Sequence, residues 1–508
     1  GYKWSYLLMK KYGLLMFTTL IISGCSICYE LIISAISSYL IGDSTLQYSI
    51  TIGLYMSAMG LGAYISKYIK NNLFNWFVFI EIAVGIVGGT SALILFFSNL
   101  YLETYQIVMY IEIIVIGTLV GVEIPLLTRI IESDNENLRV TLSSIFSFDY
   151  IGGLIGSIAF PLLLLPQFGY FATAFFIGFM NIIAATMIVF KYYSYIKNGY
   201  IYKMLVVILL AFMTIGMLCS DSISYKIENG LYRDRVILSE HTKYQHIVVT
   251  KHKEDLRLYI DGNIQFSSMD EYRYHEALVH IPMAAAEKND NVLVLGGGDG
   301  MAVRELLKYE NTKITLVDLD EEMISICREN DNIKKLNRNS LSDERVKIIN
   351  QDAYEFLKNT DENFDVIIVD LPDPNNESLN KLYTNIFYRL CYQALTEEGI
   401  MTVQSTSPYY ATNSFWCINN TLKSENFFVK PYHLQVPSFG DWGFNLASKK
   451  ELNKKFVINV DIKYLSEDNI DSLFIFGKDE IPEKDVEINS LSKPSLLHYY
   501  LESVKNWD

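Results

Sequence analysis

The sequence predicts a multi-pass α-helical membrane domain, then a small antiparallel β domain, then an α/β domain built on a parallel sheet. Three observations carry that reading. Apolar runs of the roughly 20 helical residues that a bilayer demands recur as far as Cys219 and then cease. Charge divides the same way: residues 1–220 hold 10 Lys+Arg and 10 Asp+Glu, so the net charge of −15 belongs to the remainder. From Arg235 onward apolar residues first alternate with polar ones, then gather in short runs separated by helical segments. A chain of 508 residues is in any case too long for one core. The expected divisions are 1–220 for the helical bundle, 221–283 for the small β domain and a linker helix, and 284–508 for the α/β domain.

Seven candidate spans follow one another: Leu14–Leu40, Leu46–Ile69, Leu73–Phe97, Tyr105–Ile131, Ile145–Leu165, Phe168–Phe190 and Ile201–Cys219. The first is too long for a signal peptide, and no small-residue cleavage site follows it. Small residues in Met56–Gly62 (MSAMGLG) and Gly152–Ser157 (GGLIGS) mark places where helix backbones approach closely. Lys and Arg fall on alternate connections: Lys3, Lys10 and Lys11, then Lys67 and Lys70, then Arg129 and Arg139, then Lys191, Lys197 and Lys203. The positive-inside rule puts these connections in the cytoplasm. Seven full spans leave the second half outside, whereas a re-entrant or interfacial seventh run returns it to the cytoplasmic face. A multi-pass cell-membrane location with the second half cytoplasmic is the preferred arrangement.

Glu30, Glu81, Glu112, Glu123 and Asp149 lie within or beside the apolar runs, with Arg129 an available counter-charge. They form either a site for a cation, amine or lipid headgroup, or structural pairs near the interfaces. Six cysteines give no disulfide framework, and Cys25-x-x-Cys28 lacks a second pair to complete a metal site. The acidic second half offers no basic footprint for nucleic acid and favours cationic partners.

Arg235–Ser239, Tyr244–Lys251 and Leu256–Ile260, with the turn Asp261-Gly262-Asn263, read as the small antiparallel sheet. A helix over Asp270–Ala286 follows. Strands and helices then alternate through Val292–Leu295, Met301–Tyr309, Ile314–Val317, Glu321–Asn330, Val346–Ile349, Ala353–Lys358, Val366–Val369, Leu379–Ala394 and Ile400–Gln404. Apolar strands at this spacing predict a parallel sheet covered on both faces.

Val292–Gly300 reads VLVLGGGDG, a buried strand running through glycines into a helix. Gly296 and Gly298 let the backbone approach a ligand closely, and the helix start behind them suits a polar group. Asp299 would repel a pyrophosphate, so the expected ligand is cationic and carries none. Asp318 ends the next strand about 20 residues on, where a carboxylate takes both ribose hydroxyls; capping the helix at Glu321 is the structural alternative. Asp352 closes the third strand, placed either to accept from an adenine amino group or to cap a helix. Asp370 and Asp373 lie in Val366–Pro374 (VIIVDLPDP). Two carboxylates at the crevice mouth suit a cation that must lose a proton to become nucleophilic, while an ordinary Pro turn with solvated acids is the structural alternative. Asn375–Leu382 is placed to act as a lid. The whole is an α/β Rossmann-like domain of the methyltransferase type.

In order along the chain, Tyr244-Gln245, Tyr259–Gln265 (YIDGNIQ), Asp270–Pro282 (DEYRYHEALVHIP), GGGDG, Asp318, Asp352 and Asp370-x-x-Asp373-Pro374 resemble the spermidine synthase family of polyamine aminopropyltransferases. Pro437–Phe444 (PSFGDWGF) extends the resemblance. Gly121–Arg129 (GVEIPLLTR) and Phe148–Ser157 (FDYIGGLIGS) resemble the membrane-bound branch of that family. The resemblance implies decarboxylated S-adenosylmethionine as donor, a diamine, usually putrescine, as acceptor, and no metal. It implies that Asp318 holds the ribose and Asp352 the adenine, that Gln245 lines the donor pocket, and that Asp299 and Gln265 hold the donor's terminal ammonium. Asp370 would orient and deprotonate the attacking amine, Tyr274 and Asp373 would position it, and His275 would be a hydrogen-bonding neighbour. Small residues usual around the signature are replaced by Leu371, Pro372 and Asn375, and a Tyr usual at the acceptor end is replaced near Phe439. A homodimer is a further expectation.

Two other readings compete. An S-adenosylmethionine-dependent methyltransferase of a membrane substrate suits the fold, but Asp299 would meet the extra carboxylate of that donor. A polyamine transporter or sensor with a binding-only second half is disfavoured by the intact Asp299, Asp370 and Tyr274.

Overall fold

In the computed structural model of the chain the described residues are 2–42, 44–101, 104–132, 138–232 and 234–505, the side chains of 2–12, 44 and 138 excepted. The side chains of Lys3, Lys10 and Lys11 thus lie outside the described residues. Contacts divide the chain into two units, Gly1–Val236 and Ile237–Asp508. The boundary falls at 236 and not 220 because a further helix stays with the bundle. The small sheet groups with the α/β domain, so 221–283 does not stand alone.

The helical unit contains α1 (Tyr2–Ile41), α2 (Ser44–Ile65), α3 (Leu73–Gly89), α4 (Ser91–Tyr101), α5 (Tyr105–Glu132), α6 (Leu138–Ala159), α7 (Leu165–Lys191), α8 (Gly199–Leu218) and α9 (Ser220–Tyr232). Among the described residues five stretches are long and apolar enough to cross a membrane, or six if α3 and α4, bent by 43°, count as one. The stretch Arg139–Lys191 has 53 residues, far more than the roughly 20 a single crossing needs. It breaks at Gly169, where φ is +68°, a conformation that glycine adopts without a Cβ penalty. The fifth and sixth expected runs lie on either side of that break. α8 is an unbroken helix of 20 residues, about 30 Å long. It packs along α7 from Lys203 over the Phe190 ring to Gly216 against Phe175. The seventh run is therefore one continuous helix, long enough to cross a bilayer by length and composition.

The glycine stretches do what their size allows. A Cβ on Gly62 would collide with Thr118 O of α5, and one on Gly152 or Gly156 with Leu20 O or Gly24 O of α1. Arg129 does not serve as counter-charge to the buried acids: its guanidinium donates to Ile69 O at 2.6 Å and Ser66 O at 2.8 Å, closing the end of α2.

The second unit opens with a sheet of order β1-β2-β3-β4: β1 (Arg235–His241), β2 (His246–His252), β3 (Asp255–Ile260) and β4 (Asn263–Ser267). β4 was not expected. Asp261 and Gly262 both take positive φ (+48° and +81°) between the paired residues Ile260 and Asn263. Such a two-residue loop matches the twist of an antiparallel hairpin and folds the chain straight back.

Then come α10 (Glu271–Ala285), β5 (Asn291–Gly296), α11 (Met301–Leu306), β6 (Lys313–Asp318), α12 (Glu321–Glu329), α13 (Asp331–Leu336), β7 (Val346–Asn350), α14 (Ala353–Asn359) and β8 (Phe364–Asp370). The chain continues through α15 (Glu377–Asn380), α16 (Asn385–Ala394), β9 (Leu395–Gln404), α17 (Thr412–Ser424), β10 (Phe428–Val436), β11 (Gly440–Ser448) and α18 (Ser495–Val504). The sheet order is β10-β11-β9-β8-β5-β6-β7, with β7 to β9 parallel and β10 and β11 antiparallel. Val292–Leu295 and Val366–Val369 are wholly buried, as central strands covered on both faces must be. Order reverses between β5 and β8, which opens a crevice at their carboxyl ends. The helix expected over Leu379–Ala394 is interrupted at Thr384, whose side chain accepts from Phe387 N and starts α16 afresh.

Candidate active site

The sheet register brings the glycine turn and the acidic loop together. β5 and β8 are neighbours and Gly296 pairs with Asp370. Gly296 and Gly297 have φ of +79° and +70°, which turns the chain out of the strand at that point. A Cβ on Gly297 would stand 3.2 Å from Asp370 Oδ2, and one on Gly298 2.7 Å from Asp318 Oδ2. The glycines thus keep open a space edged by carboxylates.

Beside the glycine turn, Asp318 Oδ2 accepts from Gly298 N (3.0 Å) and Oδ1 from Asp320 N (2.9 Å). The helix cap that competed for Asp318 is made by Asp320, which accepts from Glu322 N and Met323 N. Asp299 is buried, with Oδ1 accepting from Met301 N (2.9 Å). Burial pushes both carboxyls up to about 6, Asp299 against the pull of nearby His275. Asp352 does cap its helix: Oδ1 accepts from Tyr354 N and Glu355 N, and Oδ2 from Lys381 Nζ at 2.7 Å. Gln245 donates to Asp320 Oδ2 (2.8 Å), one residue pair behind Asp318. Gln265 donates to Asn263 O on its own strand (3.3 Å) and not to Asp299.

At the end of β8, Tyr274 of α10 donates its hydroxyl to Asp370 Oδ1 at 2.5 Å. Burial, then the Asp370 charge, hold the phenol well above its usual range, so it stays a donor. Burial raises Asp370 as well, against His275 and Tyr274. Asp373 Oδ1 accepts from Gln404 Nε2 (3.2 Å) and Oδ2 from Tyr500 OH (2.9 Å), and burial pushes it to about 6. Gln404 is fixed in turn by Leu371 O (2.7 Å) and Tyr383 OH (2.8 Å). The Phe439 ring lies 6.1 Å from that of Tyr274 and forms an apolar wall.

His275 is not a simple neighbour. Its Nδ1 bonds Glu271 Oε2 at 2.6 Å, and Glu271 also takes both arms of Arg304 (2.8 and 3.0 Å). Burial alone would raise the Glu271 carboxyl, yet His275 and Arg304 hold it down at about 2. Burial would likewise lower His275, and the Glu271 bond outweighs it, raising the imidazole to about 8. A buried imidazolium therefore faces Asp299 and Asp370.

The turn and loop bring together Asp299, Asp318, Asp370 and Tyr274, with Asp373 fixed in the same loop; Gln245 and Gln265 stand back. Glu271, Arg304, Asp320, Tyr383, Gln404 and Tyr500 were not foreseen. Gln404 ends β9, the same strand-end rule that singled out the aspartates, and that rule would have found it. No local signal marks Tyr500.

A family profile described as the spermine/spermidine synthase domain matches residues 271–460. The polyamine aminopropyltransferase of Leptospira interrogans serogroup Icterohaemorrhagiae serovar copenhageni is 41% identical over 487 residues, covering 96% of this chain and 97% of that one. This chain belongs to the polyamine aminopropyltransferase family. The aminopropyltransferase of Oceanobacillus iheyensis is 40% identical, with 96% of each chain covered. A solved spermidine synthase in complex with the transition-state analogue AdoDATO is 28% identical, with a TM-score of 0.46, and covers 49% of this chain and 88% of that one. By the family profile and these relatives the protein is an aminopropyltransferase, and the profile's match to the spermine/spermidine synthase domain falls on the Rossmann-like sheet of the second unit.

Two outcomes follow for this aminopropyltransferase. Tyr500→Phe leaves Asp373 with Gln404 alone; the acceptor KM should rise several-fold, with the acid limb of kcat/KM moved upward, because the lost bond favours the charged carboxylate. Unchanged acceptor KM and pH profile would show that Tyr500 does not act through Asp373. Asp299, Asp318 and Asp373 stand at about 6 in the fold against about 3.9 when unfolded. Stability of the free protein should therefore fall as pH rises through about 6, while kcat/KM rises over the same window. Calorimetry and rate profiles between about pH 5 and 7.5 test both.

Proposed function

We propose that this aminopropyltransferase takes decarboxylated S-adenosylmethionine as donor and a diamine such as putrescine as acceptor, releasing methylthioadenosine. The observation that carries the reading is the carboxylate set around an open glycine turn, with Asp299 buried and Asp318 and Asp370 half-buried. One imidazolium offsets it only in part. Cationic reactants complete the balance, and a donor with an extra carboxylate would meet Asp299 instead.

In this reading Asp318 takes the ribose hydroxyls and Asp299 the donor's ammonium. Asp352 reaches the adenine amino group with the oxygen that Lys381 holds in the free protein. Gln245 acts through Asp320, and Gln265 joins the ammonium only by leaving Asn263 O. The attacking amine is held between Asp370 and Asp373, with Tyr274 orienting Asp370. Asp370, raised by burial, accepts the proton that the ammonium must lose. The free lone pair forms the new C–N bond as the C–S bond breaks, and the electron pair leaves on sulfur, neutralising the sulfonium. Proximity and fixed charge supply the barrier lowering. The sulfonium is already an activated leaving group, so the reading asks nothing of a metal.

Methylthioadenosine release from decarboxylated S-adenosylmethionine and putrescine, at least about a hundredfold slower in Asp370→Asn, is the expected result. Formation of S-adenosylhomocysteine from ordinary S-adenosylmethionine would turn the reading toward methyl transfer.

We infer further that the helical unit lies in the cell membrane. Its apolar helices, the backbone contacts at Gly62 and Gly152, and lysines confined to alternate connections support this. Within this unit the last helix ends beside α1 and α4, where Tyr39 and Tyr232 hydroxyls meet and Gly230 faces Leu100. Lys67, Lys70 and Arg129 cluster at the other end of the bundle. With basic connections inside, Cys219 at the end of α8 falls outside, opposite to the cytoplasmic face that donor supply favours. Cys219 alone of the six cysteines is exposed. A membrane-impermeant maleimide should label it in intact cells; labelling only after permeabilisation would reverse the assignment and return the catalytic unit to the cytoplasm.

A further inference from the structure

Beyond the acidic crevice, the second unit carries a set of side chains that aminopropyl transfer does not use. His433 on β10, Asp441 on β11 and Glu480 in the turn Lys478–Glu480 bring one ring nitrogen and two carboxylate oxygens within 4.8 Å of one another. His433 Nδ1 stands 2.8 Å from Asp441 Oδ1 and 3.6 Å from Glu480 Oε1. In tetrahedral zinc sites, bonds of about 2.0–2.2 Å place neighbouring ligand atoms roughly 3.3–3.5 Å apart. The two observed separations bracket that edge, so small side-chain rotations suffice.

The surroundings also fit a metal. His433 Nε2 donates to Ile475 O at 2.7 Å, the backbone bond that fixes the tautomer of a metal-binding imidazole and leaves Nδ1 to the ion. The Phe476 ring stacks on His433 at 4.4 Å and holds its plane. Asp441 Oδ2 is buried with no hydrogen-bond partner among the described residues. A cavity of about 510 Å³ opens beside the three residues and gives a water room at a fourth position. A bare His433–Asp441 ion pair is the simpler account, but one imidazolium against two carboxylates leaves a negative charge and an unpartnered oxygen unanswered. A divalent ion answers both.

We propose that His433, Asp441 and Glu480 bind a divalent transition ion of the zinc class, with water as fourth ligand. The ion bridges His433 Nδ1, Asp441 and Glu480 in place of the direct His433–Asp441 contact. It ties β10 and β11 to the segment behind them. The tip of that hairpin carries Phe439, so occupancy stiffens one wall of the acceptor side without touching the reacting atoms.

The purified full-length chain, stripped with chelator, is titrated with Co²⁺. One equivalent should bind, with the visible absorption of a tetrahedral ion, and Zn²⁺ should displace it and raise the Tm. His433→Asn and Glu480→Gln, checked for fold by circular dichroism, should each weaken binding by at least about tenfold and lose the Tm shift. Co²⁺ bound only as the six-coordinate aquo-type ion, no saturable binding to the wild-type chain, or binding retained in either variant, as for an ion held at other histidines, would overturn the assignment.

Discussion

Holding Asp299 buried and Asp318, Asp370 and Asp373 half-buried around one glycine turn is the constraint on which the second unit depends. Left ionised and unpaired, such groups cost several kcal/mol each in a protein interior. The fold meets part of that cost from behind. Arg304 holds Glu271, Glu271 holds His275 protonated, and the imidazolium faces Asp299 and Asp370. The remainder is left for the reactants. A crevice that is short of positive charge until a sulfonium and an ammonium enter selects cationic partners by the same energy that disfavours its empty ionised form. That energy is available to catalysis only where it grows toward the transition state. Under the proposed reading, as the proton leaves the amine for Asp370 and sulfur loses its charge, cationic charge passes to the nitrogen of the new C–N bond, beside the same carboxylates.

The central strands were legible because their side chains alone decide their burial. Val292–Leu295 and Val366–Val369 are uninterrupted apolar runs, and such runs fit the middle of a covered sheet better than anywhere else. The aspartates at their ends were legible for the same reason, since strand ends fix where a crevice lies. Local pattern left open the places where neighbouring residues compete for one job. Asp318 and Asp320 both precede α12, and only the backbone path decides that Asp320 caps it while Asp318 keeps its carboxylate on the glycine turn. Leu379–Ala394 has an unbroken helical pattern, yet Thr384 starts a new helix at its middle, so that the preceding turn can carry Lys381 to Asp352. Gln245 lies in the loop just before β2 and Gln265 on the unexpected β4, and both spend their amides on neighbouring protein atoms.

The helical unit shows the reverse balance. Its apolar runs set the number of helices, but small residues decide which ones meet. Gly62 admits the backbone of α5, and Gly152 and Gly156 admit that of α1. Between apolar helices the hydrophobic effect gives no preference for one face over another, so close van der Waals contact through glycine supplies the specificity. Polar side chains add to it: Glu81 accepts from Asn181 Nδ2 at 2.7 Å across α3 and α7, and Tyr29 of α1 donates to the same asparagine at 3.0 Å. One amide thus ties three helices. Glu81 spends one carboxylate oxygen on that structural bond, so the isolated carboxylates of the sequence are in part a packing device.

The acceptor side draws on a part of the chain that local pattern could not reveal. The conserved-domain match ends at residue 460, while Tyr500 lies on α18, well beyond it. Near Phe439 the chain lacks the hydroxyl that a tyrosine would bring, and Tyr500 delivers one to Asp373 from the other end of the fold. An aromatic ring at Phe439 and a hydroxyl at Tyr500 thus come from two separate elements, and under the proposed reading the ring walls the crevice while the hydroxyl aims the Asp373 carboxylate. Dividing the two roles lets each vary separately. Under the proposed reading a change in α18 would alter how firmly Asp373 holds a distal ammonium, and a change at Phe439 would alter the width available to the methylene chain between the two amines. Acceptor length and acceptor charge are therefore read by different parts of the sequence.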